Sequence, residues 1–249
     1  MKSLRLTTVA ALLVLLLPAL ALAADETERV HKVFPLGPGG TLSLKNFSGE
    51  VRIVGADVNQ VTVDAVRTAP QDRLDHIKLE MEVSGTTLRI EANKKDSDWT
   101  EKNNNVVKTE FDIQVPRNTL LDVDVFSSNV HVRGVSGRQS IKTFSGTADV
   151  QDGAARLSCK TFSGSIAVKV ANGNPDLDLE TFSGDIDVRV PDGAKASVAF
   201  DSFSGKLTAD MPLTLQEQRK GFLRADLNGG DPSRPVRLKT FSGDVRIGK

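Results

Sequence analysis

The chain has 249 residues, and its 32 Lys and Arg residues balance its 32 Asp and Glu residues, which gives a formal net charge of zero. This balance provides no electrostatic reason to expect a nucleic acid or an anionic membrane surface as a partner. Cys159 is the single cysteine, which excludes an internal disulfide. Its position among alternating apolar residues predicts a small buried side chain and not a reactive thiol.

The chain begins with the pattern of an export signal. Lys2 and Arg5 precede an apolar run over residues 9–22, which ends in a small-x-small motif. This pattern predicts that residues 1–23 are a secretory signal peptide cleaved before Ala24, with an uncleaved anchor as the alternative. The apolar run is shorter than the roughly 20 residues that a membrane-spanning helix needs, so we expect no such segment in the mature chain. The predicted location is periplasmic or secreted.

Residues 24–117 are predicted to form an irregular region of β-strands. Phe47 begins the string Phe-Ser-Gly-Glu-Val-Arg-Ile, and Val83 begins the similar string Val-Ser-Gly-Thr-Thr-Leu-Arg-Ile. Between these strings, the alternation of apolar and polar residues from Ile77 onward predicts a strand. A short helix near Asp72 is compatible with the residues that precede this strand.

Residues 94–105 are polar apart from Trp99, which predicts an exposed loop. The strands on either side of this loop are expected to be longer and looser than those that follow. We therefore expect residues 24–117 to be continuous with the regular part of the fold.

The main feature of the sequence is an internal repeat. From residue 126 onward, successive copies are separated by 18, 18, 20, 21 and 38 residues. The last interval is about twice the others and has Phe222 at its midpoint, which predicts a degenerate unit there. The tripeptide Phe-Ser-Gly begins at Phe47, Phe144, Phe162, Phe182, Phe203 and Phe241, and the near copy Phe-Ser-Ser begins at Phe126.

Each repeat unit alternates apolar and polar residues on both sides of Ser-Gly, which is typical of half-buried strands. Turn-forming residues follow, so one unit predicts a strand, a corner, a strand and a loop. Stacked units bury a continuous core that no unit can form alone. The sequence thus predicts an all-β, single-domain β-solenoid (β-helix) with about 18–21 residues per turn, whose regular part is residues 118–249. A β-sandwich is the alternative, but its strands need not repeat one sequence at a fixed register.

The glycines of the repeat are predicted to be structural. A sharp corner between two strands needs either a positive φ or the close approach of another backbone, and glycine permits both. Ser128 replaces this glycine in one unit, where we expect a wider corner. The predicted corner glycines are Gly49, Gly146, Gly164, Gly184, Gly205 and Gly243.

The orientation of the repeated Phe side chains is left open by the sequence. Alternation before the corner directs Leu177 and Thr181 inward and Phe182 outward, but the corner shifts the parity by one residue. Inward rings would form a core ladder. Outward rings would form an exposed apolar stripe, the usual mark of an interaction surface, which residues 212–235 could cover. The candidate stripe or ladder consists of Phe126, Phe144, Phe162, Phe182, Phe203 and Phe241.

The sequence predicts no catalytic, metal or cofactor site. The three histidines are widely separated, with no Cys or Glu at metal-ligand spacing. No nucleophile elbow and no phosphate-binding glycine loop is present. Asp185 and Asp187 are expected on a flat outward face, which offers no cleft to shift a pKa. We therefore expect a protein that is not an enzyme.

The repeated Thr-Phe-Ser-Gly-Asp-Ile/Val-x-Val units, the export signal and the closing segment from Asn228 resemble the putative-adhesin family of bacterial β-strand-repeat proteins. The closing segment contains Asn-Gly-Gly-Asp-Pro and Arg-Leu-Lys-Thr-Phe-Ser-Gly-Asp-Val-Arg-Ile. The resemblance covers roughly Val30 to Lys249 and is strongest from Leu120 onward. It implies a β-helical envelope protein with no assigned enzymatic activity.

Three functions are compatible with these features of the sequence. The first is an adhesin-like binding or scaffolding module of the cell envelope that contacts an envelope protein or a polysaccharide. The second is a purely structural or stress-related periplasmic protein. The third is a polysaccharide-active enzyme, an analogy that rests on the predicted fold alone. Convergent carboxylates in a cleft would favour the enzyme, whereas an exposed Phe stripe would favour the binding module.

Overall fold

The computed structural model describes residues 25–96, 105–153 and 156–249. The predicted signal peptide and most of the loop predicted at residues 94–105 lie outside the described residues. Within these ranges the chain forms nineteen strands and one short helix, which confirms the expected all-β fold. No helix in this part of the chain is long and apolar enough to cross a membrane.

The N-terminal part combines parallel and antiparallel pairing. The first half of β2 pairs in parallel with β5 and the second half with β6, while β1, β3 and β6 are antiparallel neighbours. The elements are β1 (Glu26–Pro35), β2 (Thr41–Ala56), β3 (Gln60–Ala69), α1 (Gln71–His76), β4 (Ile77–Ser84), β5 (Thr87–Lys95) and β6 (Lys108–Pro116).

Two local predictions in this part are confirmed, and one is wrong. The short helix near Asp72 and the strand from Ile77 are present as α1 and β4. The string that begins at Val83 is not a repeat corner, because β4 and β5 form an antiparallel hairpin that turns at Gly85. Residues 94 and 95, predicted as loop, are the last two residues of β5.

From residue 120 onward the strands follow the repeat. Most units contribute one strand before the Ser-Gly corner and a shorter strand after it, whereas β7 runs through the corner without a break. The strands are β7 (Leu120–Arg133), β8 (Gln139–Ser145), β9 (Ala148–Gln151), β10 (Leu157–Ser163), β11 (Ile166–Lys169), β12 (Leu177–Ser183), β13 (Ile186–Arg189), β14 (Ala196–Ser204), β15 (Leu207–Ala209), β16 (Leu213–Arg219), β17 (Phe222–Leu227), β18 (Pro235–Ser242) and β19 (Val245–Gly248).

The units pair in parallel and in register. The strands before the corner form one row, here called the first strand row, in the order β2, β7, β8, β10, β12, β18 and β14. The strands after the corner form the second strand row, in the order β2, β7, β9, β11, β13, β19 and β15. Equivalent residues therefore lie next to one another in neighbouring units.

The core is built from the inward positions of these in-register strands. Ile141, Cys159, Leu179 and Leu238 occupy equivalent positions in neighbouring strands, and all are buried. The prediction that Cys159 is a buried small side chain is confirmed. Burial raises the pKa of the Cys159 thiol to about 12, so the thiol stays protonated and unreactive at neutral pH.

The predicted degenerate unit around Phe222 is wrong. Phe222 begins β17, which pairs with β16 as a hairpin and lies antiparallel to β14 at the end of the first strand row. The chain then returns, and β18 inserts between β12 and β14. The long interval between Phe203 and Phe241 therefore contains an edge hairpin and no further repeat unit.

Candidate functional site

The repeated Phe side chains point outward. Six of the seven are between 40% and 47% exposed, and Phe203 is 77% exposed. The preceding residue of the unit is buried instead, as Thr181 is at 1% exposure. The rings are therefore not part of the core, and the inward alternative is wrong. The hairpin of β16 and β17, which falls within the segment predicted to cover them, lies beside β14 and leaves the rings exposed.

The seven rings form one continuous stack, here called the Phe ladder. Neighbouring ring centroids are 4.7–4.9 Å apart. The ring planes are nearly parallel, with interplanar angles of 16° at the first step and 0–4° at the other five. In spatial order the ladder consists of Phe47, Phe126, Phe144, Phe162, Phe182, Phe241 and Phe203.

The spacing of the Phe ladder follows from the backbone. Neighbouring strands of a sheet are about 4.8 Å apart, and in-register pairing repeats each side chain at that interval. Equal rotamers then place the rings face to face at the strand spacing. Each internal ring is stacked between two neighbours and remains 44–47% exposed. The ladder is thus a stripe of aromatic edges about 29 Å long, six steps of the strand spacing.

The glycine corner holds neighbouring units close together beside the ladder. Gly184 has a φ of +146°, and a Cβ added to it would lie 2.3 Å from the carbonyl oxygen of Gly164 in the neighbouring unit. The other predicted corner glycines are equally crowded, with distances of 2.0–2.2 Å to a backbone carbonyl oxygen. Ser128 takes the glycine position in β7, where it is buried and accepts a hydrogen bond from the Asn46 side-chain amide.

A line of charged side chains, here called the charged row, runs parallel to the Phe ladder on the same face. Each member lies two residues before a ladder Phe, so it shares the outward direction of that ring. In spatial order the charged row consists of Lys45, Asp124, Lys142, Lys160, Glu180, Lys239 and Asp201.

Ion pairs link the middle of the charged row. Lys160 donates a hydrogen bond of 2.8 Å to Glu180, and the ammonium of Lys239 lies 3.3 Å from the same carboxylate. The hydrogen bond from Lys160, followed by the charges of both lysines, lowers the pKa of Glu180 below its ordinary value. The same hydrogen bond raises the pKa of Lys160. Glu180 and Lys160 therefore both carry their charges at neutral pH.

The Phe ladder and the charged row line an open groove of about 940 Å³. The end of β5 borders the groove beside Phe47, through Glu91, Ala92 and Asn93. Most of the exposed lining is apolar because it consists of ring edges. Large contiguous apolar patches are uncommon on monomeric soluble proteins and mark interaction sites.

Two features of this site were missed by reasoning from the sequence. Phe47 was recognised as a copy of the motif but not as a member of the stripe, although it stacks on Phe126. The charged row was not recognised, and its signal was a charged residue two positions before each repeated Phe. Within the described ranges, no group of three or more His, Cys, Asp or Glu side chains is arranged to hold a metal ion.

Several solved structures of bacterial proteins are similar to this chain, whereas no curated protein sequence shows significant similarity to it. A putative cell adhesion protein from Clostridium sporogenes has 13% identity, a TM-score of 0.48 and coverage of 90% of this chain and 99% of that one. A putative adhesin from Bacteroides fragilis has 10% identity, a TM-score of 0.35 and coverage of 88% and 97%, respectively. A putative lipid binding protein from Parabacteroides distasonis has 14% identity, a TM-score of 0.31 and coverage of 92% and 98%.

One family model matches the sequence, over residues 124–248, which is half of the chain. The matched segment contains six of the seven ladder rings. The resemblance drawn from the repeated Thr-Phe-Ser-Gly units is thereby confirmed. The chain belongs to the Toastrack DUF4097 family.

Proposed function

We propose that this chain is an exported, non-enzymatic protein of the bacterial cell envelope that binds another envelope protein through the Phe ladder. The observation that carries this proposal is the row of seven stacked and exposed aromatic rings beside a charged row. Exposed apolar surface of this extent is costly in water and is typical of surfaces that are covered by a partner. A purely structural protein would not need it.

The repeat units are proposed to build a single β-solenoid of about 18–21 residues per turn. The repeat spacing of 18–21 residues between residues 126 and 203 supports this architecture. The in-register parallel pairing of β8 with β10 and of β10 with β12 supports it as well. Such a scaffold holds the rings at fixed positions, so little side-chain entropy is lost when a partner binds.

A protein partner fits the ladder better than a polysaccharide does. Sugar C–H groups pack against the electron-rich face of an aromatic ring. In the ladder, each internal ring is stacked between two neighbours at 4.7–4.9 Å, which leaves no room for a sugar ring to lie on either face. Apolar ring edges instead suit the apolar surface of another protein.

The carboxyl groups support a protein that is not an enzyme. A catalytic acid working near neutral pH needs a raised pKa. The pKa values of Asp57, Glu110, Glu180 and Asp231 are instead lowered, because each of these groups accepts a hydrogen bond from a neighbouring side chain.

The proposed export rests on the charged and apolar pattern of residues 1–23.

The proposal is tested by site-specific photo-crosslinking in the intact envelope of an expressing bacterium. A benzophenone amino acid replaces Phe162, which is 47% exposed, or in the control Val54, which is 46% exposed on the second strand row. We expect a discrete protein adduct from position 162 and none from position 54. Carbohydrate-positive adducts from position 162 would assign the ladder to a polysaccharide, and equal yields from both positions would overturn the proposed binding surface.

A further inference from the structure

The charges along the charged row are ordered so that two copies of the row, placed face to face in opposite order, bring opposite charges together. Read from Lys45 to Asp201, the signs are positive, negative, positive, positive, negative, positive and negative. Reversal brings Lys45 opposite Asp201, Asp124 opposite Lys239, and Lys142 opposite Glu180. Every pair except the central Lys160, which meets its own copy, then has opposite signs.

The next outward row on the same face has the same property. It lies four residues before each ladder Phe and consists, in spatial order, of Ser43, Asp122, Ser140, Ser158, Asp178, Arg237 and Ala199. Reversal brings Asp122 opposite Arg237, while Asp178 meets an uncharged serine. No two like charges meet in this row, so its pattern agrees with that of the charged row.

One symmetry operation produces this reversal. A rotation of 180° about an axis parallel to the strands and passing over Phe162 turns the face onto a second copy of itself. The rotation preserves the strand direction, so the Phe ladder lies on the Phe ladder and the charged row on the charged row. It reverses the order of the strands, which generates the complementary pairs. This is an isologous interface, the kind found in most homodimers.

The face is large enough for such a contact. The three rows cover an area of roughly 30 by 20 Å, since alternate residues along a strand are about 7 Å apart and the stack is about 29 Å long. Two copies would bury on the order of 1,200 Å² in total, which reaches the lower end of stable interfaces. The Phe ladder forms one edge of this area, and the charged row lies between the ladder and the next outward row.

We propose that the chain forms a two-fold symmetric dimer through the Phe ladder, with Phe162 at the axis and the charged rows paired in reverse order. This inference deepens the proposed function and rests on it, because it names a second copy of the chain as the protein that the ladder binds. Apolar ring edges supply the attraction, and the charge order sets the relative orientation.

A charge-swap experiment tests the orientation. Neither Lys45 nor Asp201 takes part in an ion pair among the described side chains, so substitution there breaks no salt bridge within the chain. In the full chain purified after export, Lys45→Asp would bring two pairs of carboxylates together across the axis. We expect the dimer dissociation constant, measured by analytical ultracentrifugation, to rise at least about tenfold. The double variant Lys45→Asp with Asp201→Lys restores the pairing and the dimer.

Lys169→Asp is the matched control, because Lys169 is exposed on the second strand row and the charge change is identical. It should leave the dissociation constant unchanged. A second readout uses a short bis-maleimide. Lys160→Cys lies near the axis and should crosslink to its own copy, whereas Lys45→Cys should crosslink only to a copy carrying Asp201→Cys.

A purified chain that stays monomeric at concentrations near 1 mM would overturn the dimer. Failure of the double charge swap to restore association would overturn the reversed orientation. If the chain is monomeric but position 162 still crosslinks to a different envelope protein, the inference fails and the proposed function stands. If position 162 crosslinks to nothing, both fail.

Discussion

Gly184→Ala is expected to lower the free energy of unfolding by at least about 3 kcal/mol, because it combines a clash with backbone strain. The added Cβ would lie 2.3 Å from the carbonyl oxygen of Gly164, at a φ of +146°. The backbone of Gly164 cannot retreat easily, since its unit is paired with neighbours on both sides through β10. Urea denaturation followed by circular dichroism measures the loss.

Gly193→Ala measures the cost of a positive φ in the absence of a steric clash. Gly193 also has a positive φ, +78°, but a Cβ there would meet no atom within 4 Å. We expect Gly193→Ala to cost about 1–2 kcal/mol, the usual penalty for a left-handed conformation with a side chain. Equal losses for the two variants would show that the close contact between neighbouring units does not determine stability.

Leu179→Ala is expected to cost about 2–5 kcal/mol, since it removes a fully buried side chain and leaves a cavity. Leu179 is 0% exposed, and in the neighbouring strands it lies beside Cys159 and Leu238. These neighbours belong to strands fixed in register on both sides, so the cavity cannot close by a shift of one strand. The midpoint of urea denaturation reports the change.

Phe182→Ala, three residues further along β12, is the matched control. The Phe182 ring is 45% exposed and contacts mainly the rings of Phe162 and Phe241. Its removal breaks two ring pairs, each worth about 0.5–1.5 kcal/mol, so the loss should be about 1–3 kcal/mol and smaller than that of Leu179→Ala. A loss of unfolding free energy as large as that of Leu179→Ala would mean that the ring is part of the core, which would contradict its placement on the surface.

The sequence predicted the inward and outward sides of each strand but not the direction of the ring beside the corner. Alternation correctly directed Thr181 inward, and that residue is buried. The uncertainty arose at Ser-Gly, where the alternation of inward and outward residues shifts by one position. The direction of Phe182 depends on where the strand ends and the corner begins, and the observed strand continues one residue past the ring, to Ser183. That boundary is set by pairing with neighbouring units, which local sequence does not encode.

The order of the last units could not be predicted for a similar reason. Equal spacing predicts that successive units stack successively, which holds from β8 to β12. After β14 the chain forms the hairpin of β16 and β17, and β18 then fills the place between β12 and β14. The unit that contains β18 shares the Thr-Phe-Ser-Gly-Asp string and the apolar and polar pattern of the unit that contains β12. The sequence therefore shows that the two units can pair, but it does not show between which strands β18 lies.

The charged row could have been predicted from the sequence, because each member lies at a constant offset from a repeated Phe. Its ability to pair with a second copy of itself could not be predicted, because the signs become self-complementary only when the residues are read in spatial order. In chain order Asp201 precedes Lys239, whereas in the sheet Lys239 lies between Glu180 and Asp201. The inserted position of β18 thus determines both the continuity of the ladder and the symmetry of its charges.

The most direct test of a covered Phe ladder is its accessibility inside and outside the envelope. Phe162→Cys and the control Val54→Cys are labelled with a maleimide in the intact envelope and in the purified chain at high dilution. We expect position 162 to be protected at least about tenfold in the envelope but to react rapidly when the chain is dilute, while position 54 reacts in both. Equal labelling of position 162 in both samples would contradict the claim that a partner covers the ladder.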